Sequence, residues 1–144
     1  MNVLDLIGSR TDVYSVRDDV TVHDAARYLR ERQVRSVGVL DADGHLVGVV
    51  SQSDISDKVA AENKCPAWMR VSEIMSTDLV TVTPDQSLND CLRLMQHNSI
   101  YHLLVVDPGG VYRGMLSVSD LVTVIASDEK ARADMLEAFI FGRT

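Results

Sequence analysis

Aromatic residues make up only 5% of this 144-residue chain, so its core must be built from Val, Leu, Ile, Ala and Met. Cysteine is scarcer still. Cys65 and Cys91 stand far apart with no CxxC spacing, which reads as two incidental or buried thiols, not a disulfide. No uninterrupted apolar run is long enough to cross a bilayer. The opening Met1-Asn2-Val3-Leu4-Asp5-Leu6 lacks the basic region and long apolar run of a secretion signal, and the expectation is a cytoplasmic protein with no membrane partner. Positive charge is also short: 14 Lys and Arg stand against 21 Asp and Glu, a formal charge of −7. Such a surface repels a polyanion, so nucleic acid is not an expected partner, although one phosphate at a local electropositive spot remains compatible. Catalytic patterns are missing. His23, His45, His97 and His102 show no metal-ligand spacing with Cys65, Cys91 or each other, and there is no nucleophile elbow, P-loop or glycine-rich dinucleotide fingerprint. Neither an enzyme nor a metal site is expected.

What the chain does have is an internal repeat. Shifted by 66 residues, Val13–Ile55 aligns with Leu79–Leu121 without a gap, and 11 of the 43 pairs are identical. The matched positions include Asp41/Asp107, Gly44/Gly110, Gly48/Gly114, Ser51/Ser117, Ser53/Ser119 and Asp54/Asp120. Chance similarity does not keep Gly, Asp and Ser in step over that length. Each copy opens with a β-like piece, Val13–Val16 or Leu79–Val82. A helix follows, marked by Thr21 with Asp24 or Ser87 with Asp90, a spacing suited to a hydroxyl cap with an acid near the positive end of the dipole. Val22, Ala25, Ala26 and Leu29, like Leu88, Cys91, Leu92 and Met95, recur at helical spacing and predict one core-facing stripe per helix. Two near-continuous apolar strands follow in each copy, Val37–Leu40 with Leu46–Val50 and Leu103–Val106 with Val111–Leu116. Each pair is joined by turn chemistry, Asp41-Ala42-Asp43-Gly44 or Asp107-Pro108-Gly109-Gly110. A last helix is expected from Ser53-Asp54 and from Ser119-Asp120.

The pattern is thus β-α-β-β-α twice, an α/β (α+β) chain whose two repeats are expected to pack sheet to sheet around a pseudo-two-fold, because one copy is too small to bury its sheet alone. The expected boundaries are 1–62 for the first repeat, 63–70 for a linker, 71–127 for the second repeat and 128–144 for a C-terminal helix. Val71–Met75 is expected to open the second half as a short helix, as Val3–Ile7 opens the first. In the tail, Met135, Leu136, Phe139 and Ile140 fall on one side, a stripe for either core packing or a dimer contact.

Gly48-Val49-Val50-Ser51-Gln52-Ser53-Asp54 and Gly114-Met115-Leu116-Ser117-Val118-Ser119-Asp120 resemble the G-h-h-[ST]-x-x-D signature that closes cystathionine-β-synthase (CBS) domains. Ile100-Tyr101-His102-Leu103-Leu104-Val105-Val106-Asp107 resembles a strand of that family, Val71–Met75 with Val80–Asp85 resembles the opening of a second repeat, and Met135–Gly142 resembles the tail of small stand-alone CBS pairs. Taken alone, Ser51 with Asp54 and Ser117 with Asp120 are most simply helix caps. A helix start directly after a strand also suits a phosphate, and an Asp there can accept from both ribose hydroxyls. The resemblance implies that Asp54 with Ser51 and Ser53, and Asp120 with Ser117 and Ser119, hold ribose and phosphate. It also implies that a base lies against Val13 and Tyr14 or Leu79 and Val80, flanked by Arg35 and Val37 or by Tyr101 and His102, with Arg35 and His102 as basic contacts. Gly38 and Leu104 stand where the family usually has Pro, and Ser53 where many stand-alone members carry Arg.

The resemblance therefore implies a regulatory module, a homodimer, whose effector is an adenosine-containing molecule (an AMP-like nucleotide, NAD or S-adenosylmethionine) and whose occupancy changes the activity of a partner protein. No obligatory cofactor is expected. With few cations to meet a triphosphate, AMP is expected to bind more tightly than ATP. Two alternatives remain: a ligand-free interaction protein of the same fold, or a regulatory fragment of a larger enzyme or transporter, against which Met1 and the compact tail argue.

Overall fold

Thr21 and Ser87 start the two long helices as their spacing predicts. Their side-chain oxygens accept the backbone N–H groups of Asp24 and Asp90, each at 3.1 Å. The helices they cap, Val22–Arg32 (α2) and Leu88–Asn98 (α4), bury Val22, Ala25 and Leu29 in one case and Leu88, Cys91, Leu92 and Met95 in the other. Burial pushes the Cys91 thiol up to about 11, with Asp90 adding to the shift, so this cysteine serves as a small apolar residue. Both cysteines are free, and Cys65 is exposed. Each helix ends on a left-handed residue that is not glycine, Gln33 at φ 56° and Ser99 at φ 54°.

The computed structural model describes the backbone of residues 1–8, 10, 12–127 and 129–141, and their side chains except at 125–127, 129–131, 135 and 141. Its elements in order are α1 (Val3–Ile7), β1 (Ser15–Arg17), α2, β2 (Ser36–Leu40), β3 (Leu46–Ser51), α3 (Gln52–Ile55), β4 (Thr81–Val82), α4, β5 (His102–Val106), β6 (Tyr112–Ser117), α5 (Val118–Ser127) and α6 (Glu129–Phe141). Helix α3 continues as a π-helix over Ser56–Ala60, and short 3₁₀ helices cover Pro66–Trp68 and Val71–Glu73. The 66-residue offset carries α2 onto α4, β2 onto β5 and β3 onto β6 without a residue's shift. Two three-stranded sheets result, β1-β2-β3 and β4-β5-β6, each with a parallel first pair and an antiparallel second pair. Even the irregularity repeats: the pairing slips between Val39 and Leu40, and again between Val105 and Val106. The chain is α+β with two β-α-β-β-α repeats.

Two compact units emerge, and the repeats do not map onto them whole. One unit is Tyr14–Leu79; the other joins Met1–Val13 to Val80–Thr144. Each opening segment is a short helix, as expected, but its apolar side chains enter the core built from the other repeat. Val3 and Ile7 are buried with Val82, Leu92, Leu103 and Leu116, and the N–H groups of Val3 and Leu4 donate to the carbonyls of Gln86 (2.9 Å) and Pro84 (2.8 Å). Val71 and Ile74 are buried with Val16, Val22, Val37 and Val50, and Val71 N–H donates to Val20 O at 2.9 Å. The stretch read as a linker, 63–70, ends docked on the first repeat: Met69 O accepts from Val22 N–H at 2.8 Å, and Arg70 forms a bridge with Thr21.

The last helices begin one residue earlier than expected, at Gln52 and Val118, because the hydroxyls of Ser51 and Ser117 occupy the capping position. In the tail, Ala138 is buried whereas Leu136, Phe139 and Ile140 are exposed. The described part of the expected stripe is therefore not core. The Met135 side chain and Gly142 lie outside the described residues.

Candidate functional site

Strand order and register decide what gathers at one end of each sheet. Ser15 pairs near the start of β2, at Gly38, and Ser36 at the start of β2 faces Ser51 at the end of β3. Tyr14, Arg35 and the Ser51–Asp54 turn therefore share one end of the first sheet. Where β3 turns into α3, Gln52 N–H donates to Arg35 O at 2.9 Å. The second sheet repeats this: His102 faces Ser117, and Val118 N–H donates to Tyr101 O at 3.0 Å. Val80 O accepts from Leu104 N–H at 3.2 Å, so Val80, Tyr101, His102 and the Ser117–Asp120 turn sit together at its equivalent end.

At the centre of each end is a capping box. Ser51 donates to Asp54 Oδ2 through both its N–H (2.9 Å) and its hydroxyl (3.0 Å), and Asp54 N–H returns a bond to Ser51 Oγ at 3.1 Å. Ser117 and Asp120 do the same at 2.7, 2.9 and 3.2 Å. Capping occupies one carboxylate oxygen only. The other oxygen carries a cation: Lys58 Nζ lies 3.1 Å from Asp54 Oδ1, and Arg10 Nη2 lies 2.8 Å from Asp120 Oδ1. Each cation is also anchored on a carbonyl, Lys58 on Ile74 O at 2.8 Å and Arg10, through Nη1, on Met115 O at 2.7 Å. Asp54 and Asp120 keep 16% and 28% of their side-chain surface.

The other predicted contacts vary in what they can offer. Ser53, Ser119 and Arg35 are exposed, and Tyr101 keeps 78% of its surface. Val37 is buried in the core, so only its backbone can meet a ligand. Tyr14 packs edge-on against Tyr28, with centroids 6.4 Å apart, and Arg32 stacks over the same Tyr28 ring at 4.4 Å. Val13 and Leu79 fall at the points where the chain passes from one unit to the other. His102 is half-buried and engaged.

The CBS-domain family model matches residues 3–61 and again 71–127. The chain belongs to the CBS-domain family. The CBS domain-containing protein YhcV of Bacillus subtilis is 31% identical over 121 residues, covering 84% of each chain. A CBS-domain protein of Burkholderia ambifaria has the same fold at a TM-score of 0.81, with 30% identity over 89% of this chain and 96% of the other. The CBS domain pair of protein MJ0100, solved in complex with 5′-methylthioadenosine and S-adenosyl-L-methionine, superposes with a TM-score of 0.78 at 22% identity, over 88% and 97% of the two chains, a likeness of fold. The chain spans 68%, 37% and 59% of the length of three uncharacterized relatives. CBS-domain pairs are regulatory modules.

Arg10 is the member of these two clusters that sequence reasoning missed. It lies outside the aligned repeat, and its equivalent by the 66-residue shift, Ser76, carries no charge. The reverse exchange holds for Lys58, whose equivalent, Val124, is buried. Lys58 stands four residues after Asp54, a spacing that brings the two together on one helical face. Sequence spacing also passed over Asp41, Asp43 and His45, whose ligand-capable atoms lie within 4.8 Å of one another. Turn chemistry accounts for them: Asp41 Oδ1 accepts the N–H groups of Asp43 and His45, both at 2.9 Å. The His45 N–H foremost among these holds the Asp41 carboxyl below its usual range. Among the described residues no helix is long and apolar enough to cross a membrane.

Proposed function

We propose that this CBS pair is a non-catalytic cytoplasmic sensor, a homodimer that binds an adenosine-containing molecule at two sites and thereby changes a partner's activity. The observation that carries the reading is the second oxygen of Asp54 and Asp120. Capping uses Oδ2 and leaves Oδ1 to a cation in both units, at the strand-to-helix junction. A carboxylate oxygen in that position accepts hydrogen bonds from ribose hydroxyls, and the adjoining Ser53 and Ser119 hydroxyls are exposed for phosphate or ribose. The ligands of the MJ0100 pair, both adenosyl compounds, support the class AMP, NAD or S-adenosylmethionine for this chain. The exposed Leu136, Phe139 and Ile140 on α6 supply an apolar face for the second copy.

A thermal-shift panel of AMP, ADP, ATP, NAD, NADH and S-adenosylmethionine tests this, with light scattering on the same sample. At a hundred times its dissociation constant, a ligand selective for the folded state adds about 2.7 kcal/mol, a rise of several degrees for a chain of this size. The scattering mass should be twice the 15.9 kDa of the chain. No shift with any of the six ligands would favour instead an interaction protein whose Asp54 and Asp120 only cap helices.

A further inference from the structure

The two carboxylates make equivalent capping bonds, yet the cations on them come from non-equivalent positions. Asp54 takes Lys58 from one turn along its own helix. Asp120 has buried Val124 at that place, and its cation is Arg10, 110 residues away in the chain. Arg10 differs from Lys58 in kind as well. A guanidinium presents several N–H donors in a rigid fork, whereas an ammonium is a point charge. The fork here is divided: Nη2 holds Asp120 Oδ1 at 2.8 Å while Nη1 holds Met115 O at 2.7 Å. The carbonyl bond does not depend on the carboxylate. When another group takes Asp120 Oδ1, the guanidinium stays tethered at the site with its Nη2 donors released.

Resting on the adenosyl reading above, we propose that Arg10 selects the ligand of the Asp120 site. It covers the oxygen that ribose hydroxyls need, and a ribose must displace it. A neutral nucleoside gains nothing from the guanidinium it displaces. A nucleoside carrying an anionic group offers the released Nη2 a new charge-assisted partner. Arg10 thus discriminates against adenosine and in favour of a phosphorylated adenosine at this site, in a protein whose overall charge of −7 otherwise repels anions.

The test is calorimetric titration with adenosine and with AMP in an Asp54→Ala background, which leaves the Asp120 site to be read alone, with a circular-dichroism melt to verify the fold. Arg10→Gln should leave adenosine binding as tight or tighter, and weaken AMP by roughly tenfold or more, the loss expected of a charged hydrogen bond. Arg10→Lys, which keeps the charge, should restore part of the AMP preference. If Arg10→Gln weakens both ligands by the same factor, or changes neither, the selection is overturned while adenosyl binding stands. If neither ligand binds even with Arg10 intact, and wild type is equally silent, the adenosyl reading falls and this inference with it.

Discussion

A carboxylate that caps a helix has committed one oxygen to structure, and a residue with two roles needs a substitution that separates them. Asp54 and Asp120 each accept two bonds on Oδ2, from Ser51 and from Ser117, and an ion pair on Oδ1. Replacement by Ala removes both functions. It should cost about 1 kcal/mol of stability through the lost capping-box bonds and leaves Lys58 or Arg10 without its carboxylate. Replacement by Asn keeps an acceptor for the serine N–H and hydroxyl but removes the charge that makes the ribose contact strong. We therefore expect Asp54→Asn and Asp120→Asn to melt close to wild type. Each should lose about 1.5–3 kcal/mol of adenosyl-ligand binding at its own site, the range for a hydrogen bond to a charged group. Calorimetry paired with a thermal melt checks both. Unchanged affinity with an unchanged melt would mean that these carboxylates do no more than cap.

Between elements, a close approach lies where the segment after Val71 crosses β3. Val49 and Ser76 exchange backbone bonds, N–H to O at 3.0 and 2.8 Å. A Cβ at Gly48 would come within 2.5 Å of Met75 Sδ and 3.1 Å of Ser76 O. Gly48→Ala should therefore push this segment off the strand at a cost of about 1–3 kcal/mol, the usual range for overpacking. Met75→Ala should recover part of that loss, because the tightest clash is with a side chain, and denaturant melts of the two single variants and the double variant would show it. Gly114, the repeat equivalent, has nothing within 4 Å but sits at φ +124°, so the same identity in the two copies serves clearance in one and backbone conformation in the other. Most of this level was legible beforehand. Hydroxyl caps, apolar stripes and Asp/Gly turns located both sheets and both long helices, since each is a local signal read along the chain. Helix ends were not, because Gln33 and Ser99 take left-handed conformations without the glycine that would announce them. Nor was Arg10, because a repeat comparison finds only what both copies keep. A ligand reading of each Asp could be drawn from its place at a helix start and from family resemblance; the cation on its second oxygen is a tertiary fact.

At the scale of the whole chain, the opening segments are exchanged: α1 completes the core of β4–β6, and Val71–Ile74 completes that of β1–β3. Periodicity reveals that Val3 and Ile7, or Val71 and Ile74, share an apolar face, but not which of two similar cores receives it. The compact units are accordingly Tyr14–Leu79 and Met1–Val13 with Val80–Thr144, whereas similarity along the chain runs over 3–61 and 71–127. These divisions predict different fragments. A piece cut at the repeat boundary, residues 1–62, keeps Val3 and Ile7 without the core they fill and lacks Val71 and Ile74, both buried in the native chain. Burying such side chains contributes roughly 1.5–3 kcal/mol each, against a total stability of only about 5–15 kcal/mol for a domain. A piece cut at the compact unit, residues 14–79, retains both. Expressed alone, 14–79 should give a cooperative circular-dichroism melt, while 1–62 should melt broadly or at a lower temperature. Deleting residues 1–13 from the full chain should also lower the stability of the unit containing Asp120 by the loss of Val3 and Ile7, and remove Arg10 from its carboxylate, while Asp54 keeps Lys58. Equal melts for 14–79 and 1–62 would show that Val71 and Ile74 contribute little, and that each repeat is a folding unit without the exchange.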